Sequence, residues 1–572
     1  MRLRRSASPQ SAGMAQPTTY WLWVVPVIFL VIFYLLPVGS IFELAGRTAL
    51  TEGLDFNLWQ KIIRPLGFTI WQAGLSTLFT LLIGLPAAYL FARFEFAGKG
   101  FLRVLSTLPF ILPTVVVAAS FNALLGPNGW LNQLLMTVFQ IDTAPIQVLN
   151  SLWAIILAHV FYNTSVIIRV VGSAWEQLDP RLEQAARVMG ASPFRALREV
   201  TIPLLRPAIY SAALLVFLFD FTSFGVVLLL GGPRFSTLEV EIYIQTLQML
   251  NLPLAGLLSL VQLGCTLVLT FAYSRLNQKK NIPLPPRVRG EGKRAPRGGW
   301  EKGFVSLGIL VLVILLVSPL IALGLRSILW LDGSRAGTNQ GGGFTLLYYR
   351  ALFENPRQSI FYVAPVEAIR NSIIYAASTV GITLVLGFLI AYALKKRSSF
   401  NRWMDGLLML PLGTSAVTLG LGFILVFQDP YLGKSNFPWM VPVAHSLVAL
   451  PFMVRTLQPA IASIPESYRQ AAAVMGASPL RVWLEVDLPI LSRAVVVGCV
   501  FAFTISLGEF GATTFLSRPE YPTMPVAIFA FLSKPGALNY GQALAMATIL
   551  MSVCALGIWV VEKLQISDQR NF

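Results

Sequence analysis

Twenty residues of this chain occur twice, and nothing else in its 572 residues restricts the fold as strongly. The stretch reads QAARVMGASPFRALREVTIP at Gln184–Pro203 and QAAAVMGASPLRVWLEVDLP at Gln470–Pro489, with 13 of 20 positions identical. The copies lie 286 residues apart (470 − 184). Trp153, His159, Arg169, Phe224 and Gly225 meet Trp439, His445, Arg455, Phe510 and Gly511 at the same spacing. Upstream, GLPAAY at Gly84–Tyr89 pairs with GFLIAY at Gly387–Tyr392 at a spacing of 303. The first half therefore carries about 17 more residues (303 − 286), around Gly126–Leu135. A chain that repeats itself this way is two copies of one unit, each supplying part of a bundle.

Each unit has to sit in lipid. Hydrophobic residues make up 55% of the chain, charged residues only 12%, and the mean hydropathy is +0.69, which places it among polytopic membrane proteins. Apolar runs of roughly 20 residues, the length that crosses ~30 Å of hydrocarbon, lie at 21–42, 68–92, 104–126, 151–171, 207–231 and 255–275, and again at 303–329, 371–394, 404–428, 438–458, 491–516 and 542–562. The expected fold is all-α, with about 12 transmembrane helices in two homologous six-helix domains. The expected boundaries are a lead at 1–20, a first domain at 21–275, a Pro-, Gly- and Lys/Arg-rich flexible linker at 276–302, a second domain at 303–562 and a tail at 563–572. The run at 21–42 is too long for a signal peptide's apolar core and lacks a cleavage site after it, so it reads as an uncleaved first helix. With both termini in the cytoplasm, most of the 43 Lys and Arg residues fall on the inner side. The net charge of +17 is mainly this asymmetry, and nucleic acid is not an expected partner. Cys265, Cys499 and Cys554 lie in apolar stretches and imply no disulfide framework. No GxxxxGK[ST] loop occurs, so ATP hydrolysis by this chain is not expected.

The duplicated stretch carries its own local chemistry. Leu182–Met189 is Ala-rich and reads as a short helix. Gly190 stands where a left-handed cap is wanted, and Ser192 and Pro193 supply the N-cap and first residue of a second helix. That helix runs through Phe194–Val200, and Pro203 is expected to end it. Gly476, Ser478, Pro479 and Pro489 repeat the plan. The product is a polar helix–turn–helix knob outside the bilayer. The alternative is a solvated cytoplasmic hairpin that only joins two membrane helices, and the copying of the turn residue for residue weighs against it.

The pattern resembles the "EAA" cytoplasmic loop of bacterial ATP-binding-cassette importer permeases: Glu-Ala-Ala, a Gly after three intervening residues, then Ile-x-Leu-Pro. Here Gln184, Ala185, Ala186, Gly190 and Pro203, and Gln470, Ala471, Ala472, Gly476 and Pro489, fill those places, with Gln at both Glu positions. The resemblance implies a fused permease in the bacterial cytoplasmic (inner) membrane. Two copies of a separate ATPase, which hold ATP and Mg, would dock at the knobs, and a solute-binding protein would deliver cargo from outside. No cofactor, metal or catalytic residue is implied on this chain. The phrases FTIWQAGLS at Phe68, ILAHVFYN at Ile156 and FTSFGVVLLLGGP at Phe221, followed by STLEVEIY, resemble thiamine permeases. Iron(III), polyamines and other small ions are the alternatives.

Asp220 and Glu509 are the two carboxylates that fall well inside expected spans, Asp405 and Glu562 standing at the very ends of theirs. The repeat places Glu509 opposite Ser223, one helical turn from Asp220. Acids at mid-depth are functional candidates by default, so Asp220, Ser223, Ser506 and Glu509 are expected to line the path. The alternative is acids held by neighbouring Ser, Thr or backbone groups for packing. His159 and His445 either meet at a pseudo-twofold axis or act as hydrogen-bonding residues inherited by duplication. The outer segments Gly231–Leu252 and Leu516–Pro535 read either as interfacial helices that receive a binding protein or as ordinary re-entry loops. Two rivals remain: an ion-gradient-driven carrier, which leaves the duplicated knob unexplained, and a membrane enzyme, which lacks a clustered nucleophile or metal set.

Overall fold

The computed structural model describes residues 20–51, 56–278, 293–331, 343–354, 365–396, 398–427 and 437–569. The lead up to residue 19, most of the linker (279–292) and the last three residues lie outside the described residues. Among those described, the chain is helical and has no strand beyond two isolated bridges.

Among the described residues, ten helices are long and apolar enough to cross a bilayer. The two expected spans at 104–126 and 404–428 are instead bent pairs. Lys99–Ile111 and Thr114–Phe139 meet at 112°, and Ser399–Gly413 and Ala416–Phe427 meet at 97°. In the first pair Pro113 forces Leu112 into extended backbone (ψ 137°), which ends the helix before it. In the second, Thr414 is extended and the Ser415 hydroxyl accepts from Thr418 N, capping the new helix. The expected spans at 207–231 and 491–516 are also interrupted, at Thr222–Phe224 and at Glu509–Phe510.

Each half is built on one tight helix pair. Phe56–Arg93 packs on Leu152–Gln177, and Pro365–Leu394 packs on Phe437–Ser463. Repeat-related glycines allow the approach. A Cβ on Gly84 would lie 2.7 Å from Ile167 Cβ, and one on Gly387 would lie 2.6 Å from Met453 Cγ. Small residues let membrane helices close to this distance.

The first span of each half crosses to the other. Trp21–Thr48 lies on the second half, where Trp23 Nε1 donates to Asn401 Oδ1 (3.0 Å), Tyr34 bonds Thr414 (2.7 Å), and both join a core with Leu386, Ile390 and Phe423. Gly298–Ser327 lies on the first half. Its buried Arg326 donates to Gln133 Oε1 (2.9 Å) and to the Asn128 carbonyl. Gln133 sits on the helix Trp130–Phe139, within the extra residues of the first half. Asn132 pins that helix through Gly126 O and Ile146.

Candidate functional site

The knobs form as their turn chemistry requires. Pro180–Val188 and Glu466–Val474 are the first helices. Gly190 (φ 91°) and Gly476 (φ 84°) take the left-handed turn, with open space where a side chain would go, so backbone conformation alone demands glycine. Ser192 and Ser478 cap the second helices, accepting from Arg195 N and Arg481 N. Gln184, Ala185, Gln470 and Ala471 are exposed, while Ala186 and Ala472 are buried beneath them. The tips present bare apolar side chains: Val188, Met189 and Phe194, matched by Val474, Met475 and Leu480. Large apolar residues exposed at a polar end mark a contact surface. Ion pairs tie the knobs to neighbouring helix ends, Arg93 with Glu183 in one and Lys395 with Glu466 (2.8 Å) in the other, where Arg469 with Asp487 (2.8 Å) also joins the knob's two helices.

Pro203 and Pro489 do not end the second helices. Helix runs unbroken over Pro193–Phe221 and Pro479–Gly508. A widened turn at Leu197–Thr201, and another at Trp483–Asp487, opens the ladder just before each proline, so the missing N–H leaves no gap. Each knob is therefore one end of a rigid helix whose other end carries an acid.

Those acids meet histidines. His159 Nδ1 lies 3.4 Å from Asp220 Oδ1 and 3.0 Å from Ser76, and its Nε2 lies 2.8 Å from Ser223. His445 Nδ1 lies 2.8 Å from Ser506, and its Nε2 lies 3.2 Å from Glu509 Oε2 and 2.7 Å from Thr513. At the spacing of 286, Asp220 corresponds to Ser506 and Ser223 to Glu509. Each imidazole thus bridges two positions one turn apart, one acidic and one serine, in opposite order. The histidines do not pair with each other; each binds within its own half.

The acids are held differently. Glu509 sits at a helix break and accepts from Ala512 N (2.9 Å), Thr513 N (3.0 Å) and the Thr513 hydroxyl (2.6 Å), capping Gly511–Leu516. Asp220 Oδ1 accepts from Asn163 (2.7 Å), and its Oδ2 is buried with no hydrogen-bond partner.

Asp220, Ser223 and Glu509 share one cavity of about 490 Å³ between the halves. Ser506 is not on it; it is buried behind, bonded to His445 and Thr379. A third carboxylate, Glu239, completes the lining. It accepts from Gln262 (2.9 Å), and the Ser415 hydroxyl of the second half bonds it. Sequence reasoning missed it because Gly231–Leu252 looked external. The segment instead folds back as Leu238–Tyr243, with Leu238, Glu239 and Ile242 buried, and Met524–Leu532 does the same in the second half. Neither is a surface-lying amphipathic helix. Among the described residues no Lys or Arg lines the cavity, whereas Phe110, Tyr162, Phe219, Phe452 and the stacked pair Phe224–Phe510 do (centroids 5.4 Å apart, 23° between planes). That pair is repeat-related, so the pseudo-twofold passes between the rings. Among the described residues, no three His, Cys, Asp or Glu side chains gather as a metal site.

Comparison with known proteins agrees with this architecture. The family model "Binding-protein-dependent transport system inner membrane component" matches twice, at residues 80–282 and 383–565. The "Probable ABC transporter permease protein y4fN" of Sinorhizobium fredii is 25% identical over 566 residues, 96% of each chain. The "Thiamine transport system permease protein ThiP" of Escherichia coli is 26% identical over 521 residues, 89% of this chain and 90% of that one. Among solved structures, a bacterial ABC transporter that imports alginate aligns with 46% of this chain and 95% of its own, at 18% identity and a TM-score of 0.37. With its model matched over most of the sequence, the chain belongs to the family of binding-protein-dependent transport system inner membrane components, and carries that family's unit twice.

Proposed function

We propose that the chain is the whole permease of an ATP-driven importer that moves a small organic cation, thiamine foremost, into the cytoplasm. The observation that carries this reading is the cavity between the halves: three carboxylates, aromatic walls and no cationic side chain. An aromatic cation gains there from ion pairing, from cation–π contact and from the unbonded oxygen of Asp220. Identity of about 26% to thiamine permeases supports the same class.

In this mechanism both termini lie in the cytoplasm and the halves 21–275 and 303–562 enclose the path. A solute-binding protein docks outside. Two copies of a separate ATPase, with ATP and Mg, dock on the knobs around Gly190 and Gly476. The coupling is mechanical. A helix of 29 residues from Pro193 to Phe221 is ~40 Å long, so a displacement at Ser192 moves Asp220 with little loss in between. Its partner from Pro479 does the same for Glu509. When the ATPases close, the two helices change the gap between Phe224 and Phe510.

The test is uptake of radiolabelled thiamine into proteoliposomes holding the chain, its ATPase and its binding protein. Uptake is expected to need ATP inside and to resist competition by spermidine or ferric ion. Uptake that follows a proton or sodium gradient without ATP overturns the importer reading. ATP-dependent uptake of spermidine or iron in place of thiamine overturns only the substrate.

A further inference from the structure

A second cavity, of about 450 Å³, opens between the halves toward the knobs, and its charge is the reverse of the first. Its first-half wall carries Arg103, Arg169 and Lys293 against a single acid, Glu176. Glu176 Oε1 already serves two of these cations, Arg103 at 2.8 Å and Lys293 at 3.1 Å. Arg169 has no ion-pair partner among the described residues. Its repeat mate Arg455 does, in Asp405 at 3.1 Å. At the spacing of 302 that pairs Leu108-Pro109 with Leu410-Pro411 (410 − 108), the first half has Arg103 where the second has Asp405. The duplication has kept the arginine and lost its counter-charge.

Arg169 lies about two turns inside the end of Leu152–Gln177 and is exposed to this cavity, where a cation without an acid of its own is a candidate binding group. Ser173 and Thr107 bring hydroxyls to the same wall, while Val500, Phe501 and Ile558 make the facing wall apolar. Basic pockets between membrane helices on the cytoplasmic side suit phosphate headgroups, and arginine forks suit phosphate oxygens. We propose that this cavity binds a phosphate group that completes the charge on Arg169, Arg103 and Lys293, carried either by an anionic lipid or by a soluble organic phosphate.

Lys293 gives the site a structural consequence. The expectation of a flexible linker fails at its far end: Glu95 N donates to Arg294 O (3.0 Å) and Arg294 N to Arg93 O (3.1 Å), fixing Lys293 at the cavity. A bound phosphate ties that linker end to the first half at the seam with the second.

The full chain in nanodiscs of phosphatidylcholine, with or without phosphatidylglycerol, provides the test. Native mass spectrometry reads retained phosphatidylglycerol, and thermal shift in phosphatidylcholine discs reads binding of glycerol 3-phosphate. Retention of the lipid that falls about tenfold in Arg169→Gln but not in Arg455→Gln supports a lipid source, about one charge-assisted contact in size. A glycerol 3-phosphate shift lost in the same variant supports a soluble source. Lys293→Gln, outside the helices that span, gives a weaker loss and decides the matter if Arg169→Gln does not insert. Binding of neither probe, or equal binding by wild type and both cavity variants, overturns the proposal.

Discussion

His159 and His445 hold the same place in two related halves, yet the carboxylate each one meets lies on opposite sides of the ring. In the first half the acid faces Nδ1 and the serine Nε2; in the second the order is reversed. A neutral imidazole has one donor and one acceptor. Each ring also meets a further hydroxyl on its acid-facing nitrogen, Ser76 at Nδ1 of His159 and Thr513 at Nε2 of His445. Duplication thus preserved a slot, a histidine over two positions one turn apart, and let the charge move within it. The move has a consequence. Where the acid follows the helix, as Glu509 does, it is taken up in capping the next helix. Where it precedes the end, as Asp220 does, one oxygen stays unbonded beside the cavity.

The largest effect expected is on stability in the second half. Glu509→Ala strands the backbone N–H groups of Ala512 and Thr513, a loss of about 2–4 kcal/mol. It should lower the thermal midpoint in detergent and abolish transport; an unchanged midpoint would show that the cap is not structural. In the first half Asp220→Asn should leave that midpoint within a degree or two while uptake falls by roughly 10–100-fold, the scale of one charge-assisted contact. If both substitutions unfold the protein alike, the contrast drawn between the acids is wrong.

The reversed order can also be imposed. Asp220→Ser together with Ser223→Glu gives the first half the arrangement of the second. If the cavity needs only an acid against the histidine, the double variant recovers uptake lost in Asp220→Ser alone. If it needs the free oxygen, uptake stays low while the midpoint rises.

The knobs, unlike the acids, are alike, so their variants should behave alike. Gly190→Val and Gly476→Val each force a branched residue to positive φ, at about 1–2 kcal/mol, or roughly 5–30-fold in ATPase affinity. Surface plasmon resonance with the partner ATPase should return equal losses, and unequal ones would show that the two docking sites have diverged. The smallest effect concerns Glu466, whose hydrogen bond from Lys395 holds its carboxyl below the ordinary range. Its contribution is present above roughly pH 4.3 and is lost as pH falls through the lowered value. Because the side chain is more than half exposed, the gain is under about 1 kcal/mol. The protection of amides in Glu466–Val474, taken relative to their intrinsic exchange rate at each pH, should fall on acidification, and Glu466→Gln should lower it already at neutral pH.

What could be read from the sequence was local or repeated. Gly190, Ser192 and Pro193 announce their turn because φ, capping and ring geometry are properties of a few residues. The exchange of positions among Asp220, Ser223, Ser506 and Glu509 is visible once the spacing is known. Pro203 misled because a widened turn upstream absorbs what proline breaks. Hydropathy gave the length of 404–428 but not its bend, since an average over apolar residues is blind to Pro411 and Gly413 just before Thr414. Glu239 was hidden because re-entry of Leu238–Tyr243 is decided by what packs around it, and the crossing of the first spans by tertiary contacts hundreds of residues away.

That crossing sets a clock. Trp23 and the Asn401 that receives its indole are 378 residues apart. At roughly 5–20 residues per second, the first span waits on the order of 20–75 s in the bilayer before its seat on the second half has been made. Its face bearing Trp23, Leu30 and Tyr34 has only lipid against it until then, and a nascent chain that stalls between the halves leaves it so for good.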